Sequence, residues 1–169
     1  MRLEWFDMQD MAEQVIKFNV MAKGVAPIYS PVSKQFYDRL KVQLKLLQDE
    51  VDETLEAIDN TDNPEILKEV IDVGVVWMGM MGILRAAGFN IQQGMEDVCN
   101  NNLSKILNSE EEAKQSIDAL KNQGVEAYIE EVFYMGETYY ALRRKGDDKI
   151  LKPCNYKKIT LEHCIPVIH

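Results

Sequence analysis

The stretch "LLQDEVDETLEAI", residues 46–58, decides how this chain is read. Its apolar residues continue a spacing that starts upstream. Leu40, Leu44, Leu47, Val51, Leu55 and Ile58 recur at steps of three and four, which at about 100° per residue is one stripe of a helix. Between them stand Asp49, Glu50, Asp52, Glu53 and Glu56. Asp49, Asp52 and Glu56 point away from the stripe and read as a solvated face. Glu50 falls at the stripe's edge, and Glu53 lies one turn on, in a sector shared with Leu46 and Ala57. Taken alone, Glu50 and Glu53 also fit a solvated face; carboxylates drawn into a packed face would need something to neutralise them, because desolvating an unpaired charge is costly.

Working outward, Pro27 and Pro31 break the chain before this helix and Ser33 is placed to cap it. Upstream, Met8, Met11, Val15, Phe18 and Ala22 keep helical spacing, with Asp7 as cap and Gly24 as stop. Downstream, "NTDNP" (60–64) ends the acidic helix and starts a third, with Asn63 as cap and Pro64 at its first position, where a missing N–H costs nothing. The third helix is expected to run to about Ala87, with Gly88 as its stop. A fourth, from about Asn90 to Leu107, has Ile91, Met95, Val98 and Ile106 as its apolar positions. Ser109 and Glu112 have the spacing of a capping box at the head of a fifth, which Gly124 ends. The period then changes. "AYIEEVFYMGETYYALRRKGDDKILKP" (127–153) is rich in aromatic and β-branched residues, with turn chemistry at Met135-Gly136 and Gly146-Asp147, and predicts two or three antiparallel strands. The expected architecture is mainly α: a four-helix-bundle core over 1–107, then a fifth helix and small antiparallel hairpin or sheet over 108–169 as an appendage of the same domain.

The third helix sharpens the question raised by the second. "EVIDVGVVWMGMMGIL" (69–84) carries Asp72 inside an otherwise apolar run, and residues 70–84 contain no Lys, Arg or His to pair with it. Glu69 lies one turn before Asp72, at about 5–6 Å between Cβ atoms. Two neighbouring antiparallel helices, one bearing Glu50-x-x-Glu53 and the other Glu69-x-x-Asp72, can aim four carboxylates into one space. Such a group repels itself unless cations fill it. Ligation by carboxylates alone suits a hard ion, Mg²⁺ or Mn²⁺. A di-iron bundle calls for Glu-x-x-His motifs, and neither His163 nor His169 supplies one.

In the fourth helix, "DVCNNNLSK" (97–105), Asn102 and Lys105 are i, i+3, and Asp97, Asn101 and Lys105 form an i, i+4 row. Amide and ammonium groups beside a cation-filled carboxylate cluster are what a polyphosphate requires. Phe18, Asn19 and Trp77 are candidate walls for a base pocket, although packing is the readier role for Phe18 and Trp77.

Composition narrows the function classes. With 169 residues and 46% hydrophobic content the chain can bury a core, and its formal net charge of −9 argues against a general nucleic-acid binder, which needs Lys and Arg against phosphates. Cys99, Cys154 and Cys164 are far apart and form no CxxC pair, which fits reduced thiols and a cytoplasmic protein. The N-terminus has no basic segment followed by an apolar run, and the longest apolar stretch, Val73 to Leu84, is well short of the roughly 20 residues of a membrane span.

Glu50-x-x-Glu53, fifteen residues, then Glu69-x-x-Asp72 resembles the signature of the all-α nucleoside triphosphate pyrophosphohydrolases, the superfamily of MazG-like proteins, phosphoribosyl-ATP pyrophosphatases, dimeric dUTPases and dCTP pyrophosphatases. "VIKFN" (15–19), "AAGFN" (86–90) and "NNLSK" (101–105) add to the resemblance, and "GDDKILKPCNY" (146–156) is similar to the C-terminal hairpin of a MazG-like group. The resemblance is strongest from about 40 to 107. It implies a helical bundle that builds its sites as a homodimer or homotetramer, Mg²⁺ dependence, and hydrolysis of a nucleotide between the α and β phosphates. It implies Glu50, Glu53, Glu69 and Asp72 as metal ligands and Asn102 and Lys105 on the nucleotide; the residues themselves add Glu50 or Glu53 as the group orienting water, and Asn19 and Asp97 as further substrate contacts. The rival expectation is a non-catalytic nucleotide-binding or helical interaction protein.

Overall fold

A computed structural model describes residues 8–23, 30–31 and 33–167. Over these residues it is mainly helical, with five α-helices and a small antiparallel sheet: α1 (Met8–Lys23), α2 (Lys34–Asp59), α3 (Asn63–Ala86), α4 (Ile91–Leu103), β1 (Ile106–Leu107), α5 (Glu110–Asn122), β2 (Ala127–Tyr134) and β3 (Glu137–Arg144). The chain divides into two compact units, one through Ile91 and resumed from Cys164, the other Gln92 to His163. Among the described residues no single helix is long and apolar enough to cross a membrane.

In the first unit, Ser33 caps α2 by accepting a hydrogen bond from the Phe36 N–H at 3.2 Å. The expected cap at Asn63 falls one residue earlier: the Asp62 carboxylate accepts from the Glu65 N–H, and Asn63 is already helical. A carboxylate is the better acceptor for a helix start. At the far end the Gly88 N–H reaches the Arg85 carbonyl and the Phe89 N–H reaches that of Leu84, the paired bonds of a Schellman motif. Gly88 holds φ +90°, and an added Cβ would sit 3.2 Å from Pro166 Cβ. Phe36, at the start of α2, stacks on Phe89, just past the end of α3, with ring centroids 5.8 Å apart. The two helices therefore run antiparallel. The Asp7 cap and Gly24 stop expected for α1 lie outside the described residues.

The second unit is built around Leu107, Ala113 and Leu142, with Ile117, Leu120, Ile129, Tyr140 and Leu151 packed against them. Ser109 caps α5 by accepting from the Glu112 N–H. β2 and β3 pair from Ala127↔Arg144 to Tyr134↔Glu137. Their two-residue connection, Met135 (φ 50°) and Gly136 (φ 90°), has both residues left-handed, which matches a type I′ hairpin turn.

The sheet's third strand departs from expectation. The fourth helix was expected to reach Leu107, but α4 stops at Leu103, and Ile106 and Leu107 instead pair antiparallel with Ala141 and Tyr140 of β3. After Gly146 the described residues make an isolated bridge, Arg143↔Ile150, so of the two or three strands predicted over 127–153 the segment forms two, β2 and β3. β-Branched Ile106 beside buried Leu107 serves the core better as strand than as a last helical turn.

Candidate metal centre

The line of α2 that faces inward is not its most apolar one. Phe36, Gln43 and Ala57 are buried and Glu50 is half-buried, all seven residues apart, with the half-buried Leu40, Leu47 and Thr54 between them. Leu44, Val51, Leu55 and Ile58, expected on the buried stripe, are exposed. The reason is geometric. α3 covers one seam of α2, and a shift of one residue turns the helix by about 100°. Glu50 consequently sits within the helix–helix seam rather than at its margin.

α3 answers it with Glu69. That side chain is 2% exposed, and its Oε2 is buried with no hydrogen-bond partner among the described residues. Glu50, Glu69 and Asp72 each offer an oxygen, and these atoms lie within 4.8 Å of one another. One octahedral shell at about 2.1 Å spans ~3–4.2 Å between its oxygens, so small side-chain rotations would bring all three onto one ion. Glu53 is exposed, and its charge bears on Glu50 without joining this group.

The expectation for Asp72 is corrected in one respect. Its side chain is 40% exposed, and Lys68, one turn earlier, places Nζ 3.8 Å from Asp72 Oδ2. The acid deep in the apolar environment is Glu69. Lys68 also meets Glu69 Oε1 at 2.5 Å and Glu65 Oε1 at 3.3 Å. Phe18, read as packing, is 66% exposed, while Trp77 is half-buried.

Charge follows this geometry. Burial, then the negative fields of Asp72, Glu53 and Glu69, push the Glu50 carboxyl above its ordinary range, with Lys68 pulling the other way. Glu69 is held below that range by its hydrogen bond from Lys68, against the effect of burial. The donors are all hard oxygens and one is orphaned, so the group could hold a metal ion. Sequence reasoning missed Lys68, although its i, i+4 relation to Asp72 was a readable signal.

The residues expected to meet nucleotide lie on α4 and just beyond it, in the second unit, and the structure gives most of them partners there. Lys105 Nζ donates to Asn102 Oδ1 at 2.7 Å. Asp97 accepts from Gln93 at 2.9 Å and pairs with His163 Nε2 at 2.7 Å; those two contacts, Gln93 first, lower its carboxyl's pKa. Asn101 donates to the Lys157 carbonyl at 2.8 Å and accepts from the Tyr156 hydroxyl. The Asp97, Asn101 and Lys105 row is therefore no open polar face: its first two members tie the C-terminal segment to α4. Asn19 lies in α1, and its side chain is outside the described residues.

No protein-family model, no curated protein and no solved structure matches this chain.

Proposed function

We propose that the chain is a divalent-cation-dependent nucleoside triphosphate pyrophosphohydrolase, converting (d)NTP to (d)NMP and pyrophosphate. One observation carries the reading: a buried carboxylate oxygen of Glu69 lies unpartnered beside the oxygens of Glu50 and Asp72. An acid so placed is a liability in a structural helix pair and an asset where a cation completes it. Mg²⁺, with Mn²⁺ able to substitute, would supply positive charge for the phosphate oxygens and acidify a bound water. Glu50, Glu69 and Asp72 would hold that ion, and exposed Glu53, one turn from Glu50, extends the acidic edge toward solvent. Glu50 or Glu53 accepts a hydrogen bond from the attacking water and orients it for in-line displacement at the α phosphorus, from which pyrophosphate leaves. By the resemblance, Lys105 would offer its ammonium to the phosphates and Asn102 would hydrogen-bond phosphate or sugar. Asn19 and Asp97 belong to the same substrate assignment, and a cytoplasmic location suits a nucleotide substrate.

The resemblance to the all-α pyrophosphohydrolases supports the same reading and adds assembly as a homodimer or homotetramer. The exposed Leu44, Val51, Leu55 and Ile58 of α2 and Leu67, Val70 and Ile71 of α3 are apolar surface of the kind that subunits cover. Purified protein with Mg²⁺ and a panel of NTPs and dNTPs should release pyrophosphate, with Glu53→Ala and Asp72→Asn each reducing the rate by at least about 100-fold. Release persisting in both variants would refute the assignment.

The exposed apolar residues of α2 and α3 favour a second reading, a non-catalytic nucleotide-binding or helical interaction protein. Calorimetric titration with nucleotide, with and without Mg²⁺, separates the two. Binding without turnover identifies the second.

A further inference from the structure

Lys68 occupies an unusual place for a solvent-facing lysine. Its stem is on the exposed side of α3, with the side chain 56% exposed, yet its ammonium lies within 4 Å of three carboxylates: Glu69 at 2.5 Å, Glu65 at 3.3 Å and Asp72 at 3.8 Å. Two of these, Glu69 and Asp72, share the group with Glu50. The ammonium satisfies one oxygen of Glu69 and leaves the other, the buried Oε2, without a partner among the described residues. A single positive charge thus offsets part of the cluster's negative charge from its solvent side.

We propose that Lys68 is a resident counter-cation of the carboxylate cluster, which holds Glu69 and Asp72 in place in the metal-free chain and competes with the divalent cation for them. The inference rests on the metal-centre reading given above. Two features of the site support it. The charges are of one sign: Glu50, Glu69 and Asp72 form a compact acidic group in which Lys68 is the basic residue acting on Glu50 and Glu69. The lysine is also attached where it can leave, because four rotatable bonds and an exposed stem let the ammonium swing into water without disturbing the seam between α2 and α3. A divalent ion brings twice the charge and can bind several oxygens at once, including one that Lys68 does not reach. Metal entry therefore exchanges one cation for another, and the site's affinity is set by the difference between them.

The test is isothermal titration of the full chain with Mn²⁺. Lys68→Met keeps most of the stem and removes the charge; it should bind Mn²⁺ about 2- to 5-fold more tightly than the native chain, the scale expected for losing a partly exposed ion pair. Lys68→Arg keeps the charge and should stay within about twofold of native affinity. Without metal, Lys68→Met should unfold at a lower temperature than the native protein, and saturating Mn²⁺ should close that gap. Unchanged or weakened Mn²⁺ binding in Lys68→Met overturns the proposal, as does equal tightening in Lys68→Arg. Failure of the underlying metal-centre reading looks different: neither the native chain nor Lys68→Met binds Mn²⁺, or Glu69→Gln leaves binding intact in both backgrounds.

Discussion

Glu50 occupies a seam position where a leucine would pack at no electrostatic cost. Burial, and then the like charges of its neighbours Asp72, Glu53 and Glu69, raise its carboxyl above the usual range. An acid whose pKa is raised on folding is penalised in its ionised form. The penalty is absent below the unfolded-state value, grows as pH rises through the window up to the raised folded-state value, and is complete above it. Glu50→Gln should therefore stabilise the metal-free protein at pH 7, raising its unfolding temperature by ~2–4 °C, and the gain should fade as the solution is acidified through that window. Thermal unfolding of both proteins from neutral to acid pH checks it, and a gain independent of pH would count against the stated cause. At this scale the spacing of Glu50, Glu53, Glu69 and Asp72 was legible, but the ranking of their burial was not. α3 is apolar on nearly every side, so its pattern carries no phase to say whether Glu69 or Asp72 points inward. The Asp97–His163 pair joins residues 66 apart in the chain, a distance over which periodicity says nothing.

Among the elements, the clearest strain lies between α2 and α3. Thr61 adopts φ +56° where α2 ends, with its N–H on the Ile58 carbonyl and the Asp62 N–H on that of Ala57. This is the position that glycine or asparagine fills at many helix ends, and a β-branched residue there is under steric pressure. Thr61→Asn should raise stability by about 0.5–1 kcal/mol, measured by denaturant unfolding, whereas a neutral or destabilising result would show that the Thr61 side chain has an offsetting role. Caps and turns were the most readable elements. Ser33 and Ser109 each accept an N–H three residues on, and Met135-Gly136 forms the hairpin turn that its chemistry suggested. β1 was not readable. Two residues have no period, and Ile106 and Leu107 become a strand only because β3 offers them an edge.

For the molecule as a whole, the apolar stripe of α2 was read correctly as a stripe and wrongly as buried in the single chain. Leu44, Leu55 and Ile58 are at least half exposed, and so are Leu67 and Val70 of α3. Amphipathic periodicity reports that a face is to be covered; it does not say by what. If a second copy covers it, sedimentation should show a dimer or tetramer, and Leu55→Glu should shift the protein toward monomer; a native chain that sediments as monomer at all concentrations would remove assembly from the account. The claim on which hydrolysis depends is narrower and can be seen directly. Crystals grown with Mn²⁺ and measured at the manganese absorption edge should show an anomalous peak within about 2.1–2.2 Å of oxygens from Glu50, Glu69 and Asp72 together, with the Lys68 ammonium displaced. A cluster with no peak, still closed by Lys68, would contradict it.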